Sequence, residues 1–180
     1  MLTMSTEEPK VSGAIGVSSA VPVGGPFEMS DHTGATVTEE LLKDRYTLIY
    51  FGYTFCPDVC PTELQDMAVA LDLAGQAGEK VTPVFVTVDP ERDGQEQIAA
   101  YVEAFHPRMI GLRGDEGQTS RIAKAYRVFY QPVNRDDEYY LMDHSNFIYL
   151  MGPDGKNVAI FNGEVAPDVM AQGIREAVGG

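Results

Sequence analysis

The sequence predicts an α/β fold with a partly parallel sheet, and three stretches carry that expectation. Thr47-Leu-Ile-Tyr-Phe-Gly52 and Val81-Thr-Pro-Val-Phe-Val-Thr-Val-Asp89 are near-continuous apolar runs, the pattern of strands covered on both faces. Between them, Thr62-Glu-Leu-Gln-Asp-Met-Ala-Val-Ala-Leu-Asp-Leu73 reads as a helix, so strand, helix and strand make one crossover unit. Near the end of the chain, two strand-like runs flank the turn residues Pro153-Asp-Gly-Lys156, which predicts an antiparallel hairpin.

Taken in order, residues 1–23 are small, polar and Gly/Val/Ser-rich without periodicity, and read as a flexible tail or linker. Gly24-Gly25-Pro26 punctuates the entry to a single domain over 24–180. Phe27-Glu-Met-Ser-Asp-His-Thr-Gly34 and Ala35-Thr-Val-Thr38 predict a short N-terminal hairpin, with His32 solvated beside its turn. A helical turn is expected over 38–43, then the strand 47–52 and a helix from about 61 to 77, closed by Gly75 or Gly78. The strand 81–89 ends in the charged loop Asp89-Pro-Glu-Arg-Asp93. Ile98, Tyr101, Val102 and Phe105 lie at helical spacing in 95–105, which His106-Pro107 stops. A short strand over 108–113 precedes a helix over 116–126, with Ile122, Ala125 and Tyr126 on one face. Residues 131–138 read as an exposed loop, 139–144 and 146–151 as strands, 157–161 as the returning strand and 166–178 as an amphipathic helix. A βαβ start followed by a β-hairpin and a helix is the thioredoxin-like plan.

The chain carries a formal charge of −14 and a pI near 4.4, which argues against nucleic acid or an anionic membrane surface as partner. A solvated acidic surface accounts for most of that charge. No run reaches the roughly 18 apolar residues of a membrane span. Met1-Leu-Thr-Met-Ser-Thr-Glu-Glu8 lacks the basic start and apolar middle of a secretory signal.

The only two cysteines, Cys56 and Cys60, stand in Tyr53-Thr-Phe-Cys-Pro-Asp-Val-Cys-Pro61, between a strand end and a helix start. Each precedes a proline, so neither is expected inside a regular helix. The helix dipole and its unbonded N–H groups favour thiolates there, which suits a soft metal or disulfide exchange. Four residues apart, the pair closes too small a loop to staple the fold. The C-x3-C spacing also departs from the C-x2-C of thioredoxin-type oxidoreductases.

Two thiolates leave a divalent ion under-coordinated. Of the three histidines, His106 reads as a cap, since cations suit a helix C-terminus. His144, in Leu141-Met-Asp-His-Ser-Asn-Phe147, lies between two strand runs from which it can approach the cysteine loop. A hydrogen-bonded structural role is the ordinary expectation for such a histidine, and a ligand role stands beside it.

Several motifs together resemble the Sco/SenC family, whose members take part in the assembly of cytochrome c oxidase. They are Gly24-Gly-Pro-Phe27, Tyr50-Phe-Gly-Tyr-Thr54, Cys56-Pro-Asp-Val-Cys-Pro61, Val88-Asp-Pro-Glu-Arg-Asp93, Phe105-His-Pro-Arg-Met-Ile-Gly111, Ala123-Lys-Ala-Tyr-Arg-Val128 and Asp143-His-Ser-Asn-Phe-Ile-Tyr-Leu150. The resemblance runs from about residue 24 to the last helix. It implies a thioredoxin-like fold with a β-hairpin insertion, and one copper ion, Cu(I) or Cu(II), bound by Cys56, Cys60 and His144. It further implies service to the binuclear copper site of cytochrome c oxidase subunit II, with other copper carriers as further partners. The implied location is the periplasmic side of a bacterial inner membrane, or the mitochondrial intermembrane space. Family members commonly carry a histidine where this chain has Phe55, and an N-terminal membrane helix or lipid anchor. The expectation here is a soluble domain cut from an anchored precursor.

The donor chemistry is consistent with copper: thiolates select Cu(I), and imidazole suits both oxidation states. Zinc is the rival, since a Cys2His site with one open position occurs in zinc enzymes. The absence of an obvious general base on the adjacent helix counts against hydrolysis. Without metal, Cys56 and Cys60 can pair as a redox-active disulfide, which makes a thiol–disulfide oxidoreductase the competing class; a peroxiredoxin-like peroxidase is weaker. Asp143, Asp89 and Asp58 are candidates to surround the metal ligands, Tyr53 is expected at the rim, and Met142 and Met151 in the core.

Overall fold

The computed structural model describes residues 14–15, 23–55, 59–133 and 141–179, with the backbone alone at 14–15, 59–60 and 143. Its strands are β1 (Ala14–Ile15), β2 (Glu28–Asp31), β3 (Thr36–Thr38), β4 (Tyr46–Gly52), β5 (Val81–Thr87), β6 (Ile110–Arg113), β7 (Tyr130–Val133), β8 (Leu141–His144), β9 (Phe147–Met151) and β10 (Asn157–Asn162). The helices are α1 (Val59–Leu73), α2 (Gln76–Glu79), α3 (Gln95–Phe105), α4 (Glu116–Tyr126) and α5 (Pro167–Val178), with a 3-10 turn at Glu39–Leu42.

Eight strands form one sheet in the order β1-β10-β9-β4-β5-β6-β2-β3. The two pairings β4–β5 and β5–β6 are parallel, and the others antiparallel. β4 and β5 are the apolar runs that open the argument from sequence, and they lie where such runs must, at the centre under helices on both faces. Pleat alternation assigns their side chains. Phe51 meets Tyr126 of α4 at 5.4 Å, while its neighbour Tyr50 turns to the opposite face. Tyr50 is in register with Phe85, whose ring packs on Tyr101 of α3 at 5.3 Å. α1 packs against α5 and α3 on that second face.

The expected N-terminal hairpin, the strands, the helices over 95–105 and 116–126, and the final helix are all present. α4 starts where a capping box starts it: Asp115 accepts from the Gln118 N–H at 2.7 Å, and the Gln118 side chain accepts from the Asp115 N–H at 2.9 Å. Gly155 supplies the left-handed residue (φ 77°) of the predicted β9–β10 turn.

Five expectations change. The helix expected over 61–77 begins at Val59 and breaks at Gly75, giving α1 and the separate α2. Cys60 therefore lies within the first helical turn. The first N–H groups of a helix have no internal partner, so Pro61 costs no hydrogen bond there, and the bias against helix before proline is overridden. Residues 131–133 of the expected exposed loop belong to β7, paired with β8 as a separate two-stranded ribbon. Both strands of a ribbon are edges, which tolerate Pro132; residues 134–140 lie outside the described residues. His32 is not a purely solvated turn residue, because its Nδ1 accepts the Gly111 N–H at 3.1 Å. His106 is the C-cap residue of α3 through its backbone N–H, which donates to the Val102 carbonyl, and its ring is a neutral acceptor rather than a cation at the helix end. Its Nδ1 accepts from the Arg108 N–H at 3.0 Å, and burial followed by the Arg108 charge holds its pKa below the ordinary histidine value.

Candidate metal centre

Side chains from both central strands, the start of α1 and the β8–β9 turn converge beyond the carboxyl ends of β4 and β5, the position where open α/β sheets gather functional groups. Three buried carboxyl groups stand among the described residues, those of Asp93, Asp89 and Glu63, and all three are at this end.

Asp93 organises the entry to the cysteine loop. Its carboxylate accepts the Thr54 N–H at 3.0 Å, the Thr54 hydroxyl, and the Thr87 hydroxyl at 2.6 Å. Asp89 is paired with Arg92. The Arg92 guanidinium lies over Phe55 (4.9 Å to the ring centre) and Tyr53 (5.7 Å), a cation–π arrangement on the residues just before Cys56. Tyr53, expected at the rim, is instead 2% exposed. Its hydroxyl accepts the Met142 N–H at 3.1 Å, which draws the ring into the core and ties the loop entry to β8.

His144 ends β8, half-buried, with the edges of Tyr53 and Tyr50 packed against it at 5.8 and 6.2 Å. Its Nδ1 lies 2.9 Å from the Ser145 carbonyl oxygen. A carbonyl only accepts, so Nδ1 carries the proton, which leaves Nε2 as the ring nitrogen available to a metal. The residues on both sides of the cysteine motif touch the His144 turn. Tyr53 precedes Cys56 by three and packs on His144; Glu63 follows Cys60 by three and takes a hydrogen bond from Asn146.

The side chains of Cys56, Asp58, Cys60 and Asp143 lie outside the described residues. The backbone of Asp143 pairs with Gln131. Met142 and Met151 are buried, as expected of core methionines. Glu63, Asn146, Asp93 and Arg92 escaped the reading of ligand-type motifs. Glu63 carried one signal, a carboxylate interrupting the helix face shared with Leu64 and Met67. Burial pushes its carboxyl up to about 7 from the ordinary 4.5, against the opposing pull of the Asn146 amide; Asp66 and Glu164 add to the rise and His144 offsets it. The adjacent helix thus does hold a titratable carboxyl, so the sequence argument against hydrolysis does not stand. Two thiolates and an Nε2 lone pair, if brought together, would make a soft donor set that fits copper as cargo.

No helix among the described residues is long and apolar enough to cross a membrane. The SCO1/SenC family model matches residues 16–179. The human mitochondrial SCO1 homologue is 42% identical over 155 residues, 82% of this chain and 52% of its own length. The chain spans about half the length of such relatives. Arabidopsis thaliana ScoI, solved with copper bound, superposes with a TM-score of 0.83 at 40% identity, covering 87% of this chain and 98% of that one. Bradyrhizobium japonicum ScoI, also solved with copper bound, gives 0.77 at 41% identity, covering 86% and 98%. These likenesses, carried on a thioredoxin-like sheet with the ribbon inserted before β9, identify the chain as a member of the SCO1/SenC family.

Proposed function

We propose that this chain is a copper carrier that binds one Cu(I) or Cu(II) through Cys56, Cys60 and His144. It would deliver the ion to the binuclear copper site of cytochrome c oxidase subunit II, in the periplasm or the mitochondrial intermembrane space. The observation that carries the reading is the His144 ring, proton on Nδ1 against Ser145 and in contact with Tyr53, on the turn that also binds Glu63. The copper-bound relatives at about 40% identity support the same reading. Transfer proceeds by ligand exchange: a partner thiolate enters at the metal as Cys56 or Cys60 leaves.

Thiol–disulfide exchange on the partner's cysteines is the second reading. It is favoured by the buried Glu63 carboxyl, one helical turn beyond Cys60 in α1, a group of the kind that takes up a proton in thiol exchange. Copper titration of the reduced protein separates the two. The carrier reading expects one tightly bound copper, lost in Cys56→Ser, Cys60→Ser and His144→Ala. Exchange would persist in His144→Ala. Equal copper binding by His144→Ala and wild type would refute the Cys2His site and favour the reductase.

A further inference from the structure

Asn146 is held from three directions. The Tyr50 hydroxyl on β4 donates to its Oδ1 at 3.4 Å, its side-chain amide donates to the Glu63 carboxylate on α1, and its backbone carbonyl accepts the Gly163 N–H at 2.9 Å. Gly163 makes this possible, because a Cβ there would overlap the Asn146 amide. Glu63 is 4% exposed, and its Oε2 has no hydrogen-bond partner among the described residues.

A buried, half-satisfied carboxylate is a costly way to hold a helix on a turn, and an apolar contact would do so more cheaply. Its position offers a reason. Glu63 is three residues beyond Cys60, on the same side of α1, and Asn146 is two beyond His144. Tyr50 joins Asn146 to the strand leading into Cys56, and its ring packs edge-to-face with His144.

We propose that Glu63, Asn146 and Tyr50 form a positioning bridge that sets the orientation of the His144 ring relative to the Cys60 turn of α1. Its value for metal binding rests on the copper-carrier reading; its action on His144 does not. The bridge fixes geometry through directional bonds, where an apolar contact would let the turn slide. A group that orients a metal ligand in this way is typically worth about 10- to 100-fold in metal affinity.

The experiment measures Cu(I) affinity by competition and, in the metal-free reduced protein, the His144 ring nitrogen and proton signals by NMR. Glu63→Ala and Asn146→Ala are expected to lower affinity by about 10-fold or more and to mix the two His144 tautomers. Glu63→Gln preserves an acceptor for the Asn146 amide and is expected to stay within about three-fold of wild type with unchanged His144 signals. The paired change Glu63→Leu with Asn146→Leu guards against a purely structural effect: a thermal midpoint at or above wild type with weaker copper binding supports positioning. Unmoved His144 signals in both alanine variants would overturn the bridge, as would Glu63→Gln losing as much as Glu63→Ala. If wild type takes up no copper, the carrier reading falls, while the His144 signals still decide the bridge.

Discussion

Thr54 gives both its backbone N–H and its hydroxyl to the carboxylate of Asp93, a residue 0% exposed that closes the loop after β5. Two residues before Cys56, the cysteine loop is thus anchored to the neighbouring strand's exit. Burial raises the Asp93 pKa against the lowering by its Thr54 and Thr87 bonds, so a neutral side chain of the same shape is tolerated there. Asp93→Asn is expected to cost about 1 kcal/mol, and Asp93→Ala, which strands three donors, about 2–4 kcal/mol, by denaturant unfolding. Equal costs for the two would contradict the anchoring role.

The Glu63 carboxyl makes the metal-free fold pH-dependent. Its folded pKa, about 7, lies above the unfolded value near 4.5. The stability linked to its protonated form is therefore fully present below about 4.5 and is lost as pH rises through about 7. Relative to Glu63→Gln, wild type is expected to lose on the order of 2 kcal/mol across that window. Urea unfolding of both proteins, reduced and metal-free, checks it; parallel pH profiles would mean Glu63 is not perturbed.

Arg92 supports the loop by charge and by shape. Its guanidinium pairs with buried Asp89 and covers Phe55 and Tyr53. Arg92→Ala removes the counter-charge of a carboxylate that is 3% exposed, and is expected to destabilise by about 3 kcal/mol. Phe55 is 49% exposed, so Phe55→Ala is expected to cost only about 0.5–1 kcal/mol, the worth of the cation–π contact. Phe55→Ala should still bind one copper, measured by titration, since no ligand role is assigned to that position.

Gly163 borders the Asn146 amide without a side chain of its own. Gly163→Ala is expected to displace the amide, cost about 1–3 kcal/mol and reproduce the weaker copper binding of Asn146→Ala. Gly163→Ala binding copper like wild type, with Asn146→Ala impaired, would show that the turn adapts to the added methyl group.

The sheet, the order of its elements and the ligand candidates were legible in the residues alone. Continuous apolar runs such as 47–52 and 81–87 have only one stable place, the covered centre of a sheet, and two cysteines beside a helix start announce thiolate chemistry. β7 stayed hidden because Gln131 and Pro132 look like a loop until the partner strand places Asp143 and Met142 opposite them. The start of α1 stayed hidden because a proline's bias is local, whereas helix ends answer to packing. Which carboxylates are buried emerged only from the folded chain. Asp93, Asp89 and Glu63 are ordinary surface residues by type; they are buried because the exits of β4 and β5, the start of α1 and the turn after His144 meet at one point. That meeting depends on partners as distant in sequence as Tyr53 and Met142, and no local pattern of residues encodes it.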